Sequence, residues 1–212
     1  MDAIVLENVT KKFKEQSVLE TTSVSFEKGK IHGIIGNNGS GKTVLFKIIC
    51  GLLLPTTGKV TVNGTEVGKE ADFAPDTGIL IETPGFLSFE SGYRNLKDLA
   101  SIRNKINDEQ IQMNIQRVGL DPKDKKRVGK YSMGMRQRLG IAQAIMEDPS
   151  LLILDEPMNG LDKHGAAEIR QLLMDLRAEG KTILIASHIA EDIHILCDTV
   201  YEIENGVLTR IK

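Results

Sequence analysis

The sequence lacks most of what a secreted, zinc-stapled or membrane-spanning protein needs. It holds two cysteines in 212 residues. Cys50 and Cys197 sit in the apolar settings KIIC and HILC, with no CxxC pair and no metal-ligand spacing, which excludes a disulfide framework and a zinc module. Buried reduced thiols are expected there, as suits a cytosolic compartment. An excess of one charge is also missing. With 27 Lys and Arg against 29 Asp and Glu, the net charge of -2 provides no global attraction for DNA, RNA or an anionic bilayer. The run Lys123-Asp-Lys-Lys-Arg127 follows a proline and reads as a solvated loop, so no nucleic-acid partner is expected. No apolar run approaches the roughly 18 residues that span a bilayer. The opening MDAIVLENVTKKFK carries acidic residues and no long apolar region, unlike a signal peptide. Work at a membrane would require another chain to provide the span.

What is present is a globular composition, 41% hydrophobic and 26% charged, at a length that suits one α/β domain with room for an inserted subdomain. Alternation of apolar and polar residues predicts strands over Ala3–Val9 and Ser23–Phe26, and Ile31–Ile35 is an apolar strand running into glycines. A helix is expected near Thr43–Cys50 and a strand within Gly58–Gly64. From Pro84 to about Glu147 helical patterns dominate: Ser91–Asn104, Asp108–Val118 and Met135–Ile145. Strands return at Leu151–Leu154 and Thr182–Ala186, with a helix from about Lys163 to Glu179 between them, which implies a parallel sheet. No internal repeat or low-complexity segment is visible.

Three clusters carry chemistry. Gly36-Asn-Asn-Gly-Ser-Gly-Lys-Thr43 fits G-x-x-x-x-G-K-[ST] between a predicted strand and a predicted helix. Its glycines let the backbone wrap phosphates, Lys42 can reach the β/γ-phosphates, and Thr43 can ligate Mg²⁺. In Leu151-Leu-Ile-Leu-Asp-Glu-Pro157, two carboxylates end an apolar strand, where burial without a cation is costly. Asp155 is placed to hold Mg²⁺ through water and Glu156 to polarise an attacking water. His188 follows the next strand at the edge where ligands gather in open α/β sheets and could bond a γ-phosphate. His32, His164 and His194 read as structural. A fourth stretch, Tyr131-Ser-Met-Gly-Met135, starts a helix with small residues that suit an anion, yet it has no lysine of its own.

Together these residues resemble the nucleotide-binding subunit of an ATP-binding cassette (ABC) transporter, over essentially the whole chain and in the family's motif order. The resemblance implies an α/β P-loop NTPase (RecA-like) core with an N-terminal antiparallel β subdomain and an inserted α-helical subdomain. Residues 1–82 and 147–212 would form the core and 83–146 the helical part of a single domain. It implies that Gly36, Asn37, Asn38, Gly39, Ser40, Gly41, Lys42, Thr43 and Val44 bind ATP. Phe13 matches the position that stacks on adenine, a structural Phe being the alternative. Asn159-Gly-Leu-Asp162 is similar to the D-loop. Glu156, His188 and Lys42 would be catalytic, with Thr43, Asp155 and Glu82 on the metal. Ser132, Gly134 and Met135 occupy the signature that contacts nucleotide held by a second cassette.

Two departures from the family pattern bear on function. Glu82 stands where the family usually has Gln, so a charged oxygen replaces a neutral one near the metal, with altered Mg²⁺ and pH dependence expected. Met133 and Met135 replace a Gly and a Gln of the signature, while Ser132 and Gly134 remain. LIETPGF with YSMGMRQRLGIA is similar to the bacitracin and lantibiotic export or self-protection branch. The implied partners are an integral-membrane permease and a second cassette, a homodimer with a heterodimer left open. The implied location is the cytoplasm, peripheral on the inner face of the cell membrane. A soluble ABC-type ATPase of translation or DNA repair is the alternative, although tandem cassettes, a long coiled-coil insertion and zinc modules are absent. A GTPase would need an NKxD-like segment, also absent, and a P-loop kinase would leave Ser132–Met135 and His188 unexplained.

Overall fold

The computed structural model describes all 212 residues. Strands β1 (Asp2–Phe13), β2 (Gln16–Glu27) and β3 (Ile31–Ile35) precede helix α1 (Lys42–Cys50). Then come β4 (Thr57–Val62), β5 (Thr65–Glu66) and β6 (Thr77–Leu80), and three helices, α2 (Gly92–Arg103), α3 (Asp108–Arg117) and α4 (Met133–Ile145). The chain continues through β7 (Leu151–Asp155), α5 (Lys163–Ala178), β8 (Thr182–Ala186), α6 (Ala190–Leu196), β9 (Thr199–Glu204) and β10 (Val207–Arg210). No helix is long and apolar enough to cross a membrane.

Two sheets organise these elements. The first is antiparallel in the order β2-β1-β4-β5, built on the long β1–β2 hairpin. The second runs β10-β9-β3-β8-β7-β6, with parallel pairing from β9 through β6 and only β10 antiparallel. Because side chains alternate across a strand, β7 sends Leu151 and Ile153 to one core and Leu152 and Leu154 to the other. Both faces of the parallel sheet are therefore covered, which is why its strands read as unbroken apolar runs. One core joins the sheet to α1 and the antiparallel strands through Leu45, Phe46, Leu6 and Phe26. The other joins it to α2–α5 through Leu96, Leu139, Ile169 and Leu173.

Local signals set the helix ends. Ser91 accepts from Arg94 N at the start of α2, Asn107 and Gln110 form a capping box on α3, and Asp162 accepts from Gly165 N to open α5. Helices α2–α4 lie between β6 and β7 in sequence, yet β6 and β7 are hydrogen-bonded neighbours, so the helices interrupt the sheet without separating its strands. The structure differs from the sequence expectations in three places. β1 and β2 are longer than the predicted strands, α4 begins at Met133 rather than Met135, and β5, β6, α6, β9 and β10 were not anticipated. Each unanticipated element has two to seven residues, too short for periodicity to stand out, and tertiary packing defines them. Cys50 and Cys197 are buried and unpaired, and desolvation pushes both thiols up to about 12, so neither is ionised near neutral pH.

Candidate functional site

The loop between β3 and α1 is shaped by three glycines with positive φ, 148° at Gly36, 78° at Gly39 and 111° at Gly41. Two of them are also places of close approach. A Cβ on Gly36 would strike the Ile203 carbonyl and one on Gly41 would come within 2.9 Å of the Val18 carbonyl oxygen. Gly41 caps α1 with no side-chain hydrogen bond, which leaves the first amides of that helix for an anion. Ser40 Oγ is buried without a partner. Lys42 is buried and folds back, its Nζ donating to Gly36 O at 2.6 Å and Asn37 O at 3.0 Å. An unpartnered hydroxyl, uncapped amides and a lysine whose charge is met only by neutral loop carbonyls make a cradle that fits phosphate.

At the second residue of α1, Thr43 Oγ1 donates to Asp155 Oδ2 at 2.6 Å, joining the helix to the end of β7. This pair is a hard-oxygen donor set of the kind that fits Mg²⁺. No group of three or more His, Cys, Asp or Glu side chains is arranged as a metal cage, so these two oxygens would need substrate phosphates and waters to complete a shell. Glu82 lines the same cavity, and its Oε1 receives Lys47 Nζ at 2.6 Å. Lys47 follows Thr43 by four residues and shares its helix face.

Beyond Asp155 the backbone turns sharply. Glu156 adopts φ 50°, a left-handed conformation unusual for a non-glycine residue. Its amide donates to Ala186 O at 2.9 Å, and its carbonyl accepts from Asn159 N at 3.0 Å and Gln137 Nε2 at 2.9 Å. Its Oε2 accepts from the His188 amide at 3.3 Å and lies 2.7 Å from His188 Nδ1. The His188 loop is held from below by buried polar groups. Ser187 Oγ donates to fully buried Asp192, which also pairs with Arg170 of α5 at 2.6 Å. Removing either partner of such a buried pair would leave an uncompensated charge.

The stretch 132–135 is the first turn of α4. Ser132 Oγ accepts from Met135 N at 3.2 Å as a helix cap. Gly134 packs so closely that a Cβ would come within 2.8 Å of Gly160 O, and Met133 lies over Gly160 itself. Met135 faces inward against the helical core, and Lys126 Nζ approaches its sulfur at 4.0 Å.

A cavity of about 750 Å³ collects Asn38, Gly39, Gly41, Lys42, Thr43, Val44, Glu82, Asp155 and Glu156. A second, of about 1050 Å³, collects Gly36, Asn37, Asn38, Glu156 and His188 on the other side of the loop. The candidates from the phosphate loop, the β7 end and His188 are thus brought together. Phe13 lines neither cavity. It is half exposed with Lys11 Nζ 4.9 Å from its ring centre. Ser132, Gly134 and Met135 line neither cavity, whereas Met133, Arg136 and Gln137 from the same helix line the first. Val18, Lys47 and Gln137 were missed in the sequence. Only Lys47, four residues beyond Thr43 on a predicted helix, left a usable signal there.

Comparison with known proteins places this geometry. The ABC transporter family model matches residues 19–159. An uncharacterized ABC transporter ATP-binding protein of Bacillus subtilis (strain 168), YybJ, is 43% identical over 201 residues, covering 95% of this chain and 92% of that protein. The bacitracin transport ATP-binding protein BcrA of Enterococcus faecalis is 42% identical over 207 residues, covering 97% of this chain and 67% of that longer protein. A dimeric ATP-binding cassette in a post-hydrolysis state, bound to ADP and Pi, has the same fold with a TM-score of 0.87 and 21% identity over 99% of both chains. Matched over more than half its length by the family model, and by relatives along nearly all of it, the chain belongs to the ABC transporter family and is one of its ATP-binding, ATP-hydrolysing cassettes.

Proposed function

We propose that this cassette powers a membrane permease that exports, or protects against, a peptide antibiotic. The likeness to BcrA, a bacitracin transport ATP-binding protein, supports that substrate class. In this reading the chain is one domain, with residues 1–82 and 147–212 as catalytic core and 83–146 as the helical part. It works on the inner face of the cell membrane, and the helical part passes motion to the permease. Two copies close on two nucleotides, each nucleotide held by the phosphate loop of one copy and by Ser132 and Gly134 of the other.

The observation that carries the reading is the convergence of Lys42, Thr43–Asp155 and Glu156–His188 on one loop. Lys42 leaves its loop carbonyls to take phosphate oxygens, and the α1 amides donate alongside it. Thr43 and Asp155, with Glu82 beside them, would hold Mg²⁺, which would supply charge neutralisation for the phosphates. Glu156 accepts a proton from the attacking water, and His188 orients the Glu156 carboxylate.

Glu156→Gln tests the assignment, because the amide keeps the shape and loses the base. Turnover should fall by about 10² or more, while ATP binding persists and a dimer accumulates in light-scattering chromatography with Mg-ATP. Normal turnover would remove Glu156 as the base. Copurification with a polytopic membrane protein supports the transport reading, whereas ribosomes or DNA in its place would favour the soluble alternative.

A further inference from the structure

Gln137 makes the one side-chain hydrogen bond from α4 to Glu156. The acceptor is a carbonyl, so the contact fixes the amide orientation: Nε2 donates at 2.9 Å and no proton need be assigned. Gln137 lies four residues after Met133 and shares its helix face. That face rests on the turn 156–160, with Met133 over Gly160 and Gly134 too close to Gly160 O for any side chain. The first turns of α4 are therefore pressed against the turn that carries Glu156. Glu156 itself is held in the left-handed region, where an L residue stays only if its surroundings insist. Its amide is fixed by Ala186 and its carboxylate by His188, both from the β8 side. Its carbonyl is the point at which α4 takes hold.

We propose that Gln137 is a positioning residue linking the two ATP sites of a closed pair. A nucleotide on a second copy engages Ser132 and Gly134 at the start of α4, and Gln137 passes the resulting shift to the Glu156 backbone of the same chain. Hydrolysis at one site is thereby tuned by occupancy of the other. The proposal rests on the reading in which Glu156 is the base and Ser132 meets a partner's nucleotide.

The test uses the full chain and Mg-ATP. Gln137→Met keeps the side-chain volume and removes the donor, and Gln137→Glu places an acceptor against the carbonyl. Both variants should lose about 10-fold in kcat, with KM for ATP and binding of a fluorescent ATP analogue within about twofold of wild type. Ser132→Ala supplies the second arm of a double-mutant cycle. If Gln137 relays the engagement of Ser132, the Ser132→Ala, Gln137→Met double variant is no slower than the slower single variant. Unchanged kcat in Gln137→Met overturns the proposal, as does a loss that tracks nucleotide binding, or losses that multiply in the double variant. Glu156→Gln assayed in parallel separates the two failures. If it turns over normally, the reading of Glu156 is wrong, whereas an inactive Glu156→Gln beside a normal Gln137→Met removes only the relay.

Discussion

Lys47 and Glu82 form a neutral pair at the rim of a cavity that takes a polyanion. Their side chains are 32% and 63% exposed, so the pair adds little to folding, about 0.2–1 kcal/mol. Its effect on substrate is larger, because removing the lysine leaves a bare carboxylate beside the phosphates. Lys47→Met should raise KM for ATP about 5-fold, and adding Glu82→Gln should return it to near wild type, since the second change removes the leftover charge. Steady-state kinetics of the three variants read this directly, and an unrestored double variant would show that Lys47 acts on ATP without Glu82. At this scale the sequence was a good guide where each partner sits in a motif legible by itself, as Thr43 and Asp155 do although 112 residues separate them. It was silent on Gln137 because no spacing rule foretells which helix face meets a turn 19 residues away.

Among the elements, the junction of β2, β3 and β9 depends on a buried histidine. His32 Nδ1 lies 2.7 Å from Thr199 Oγ1 and Nε2 lies 2.8 Å from Glu27 O, and Phe26 packs edge-on against the ring. Burial holds the imidazole below its ordinary range despite the bond to Glu27 O. The folded state therefore binds a proton less readily than the unfolded chain. The stability that His32 contributes is present above about pH 6.5 and is lost as pH falls toward its lowered folded value. A His32→Gln variant, which keeps hydrogen-bonding capacity without titrating, should show a flatter decline of thermal midpoint between about pH 6.5 and 5 than wild type. Equal slopes would place the acid sensitivity elsewhere. Reading elements from sequence succeeded for long periodic segments such as α5, whose Ile169, Leu172, Leu173 and Leu176 recur at helical spacing. α4 starts two residues before the predicted Met135, because the Ser132 cap carries Met133 and helix-weakening Gly134 into its first turn.

For the molecule as a whole, Ser132, Gly134 and Met135 lie outside both cavities of their own chain. The proposed dimer supplies what they lack. In a Glu156→Gln background, Ser132→Arg should block ATP-driven dimerisation in sedimentation velocity. Each monomer should still bind a fluorescent ATP analogue, because its own phosphate loop is untouched. Dimers that persist with this bulky cation at the α4 start would mean that the sites do not form between copies.

Local chemistry settled much of this protein in advance. A glycine-rich turn before a helix, a lysine and threonine at its end, and two carboxylates closing an apolar strand carry their chemistry in their order, because backbone reach and helix geometry link neighbours along the chain. The tertiary structure alone decided which distant groups meet. It set Lys47 on Glu82, Gln137 on the Glu156 carbonyl, and Met133 over Gly160, while leaving Phe13 outside the cavities. Those contacts depend on how two sheets and six helices pack around two shared cores, and packing of that kind is fixed only when every face has found its partner.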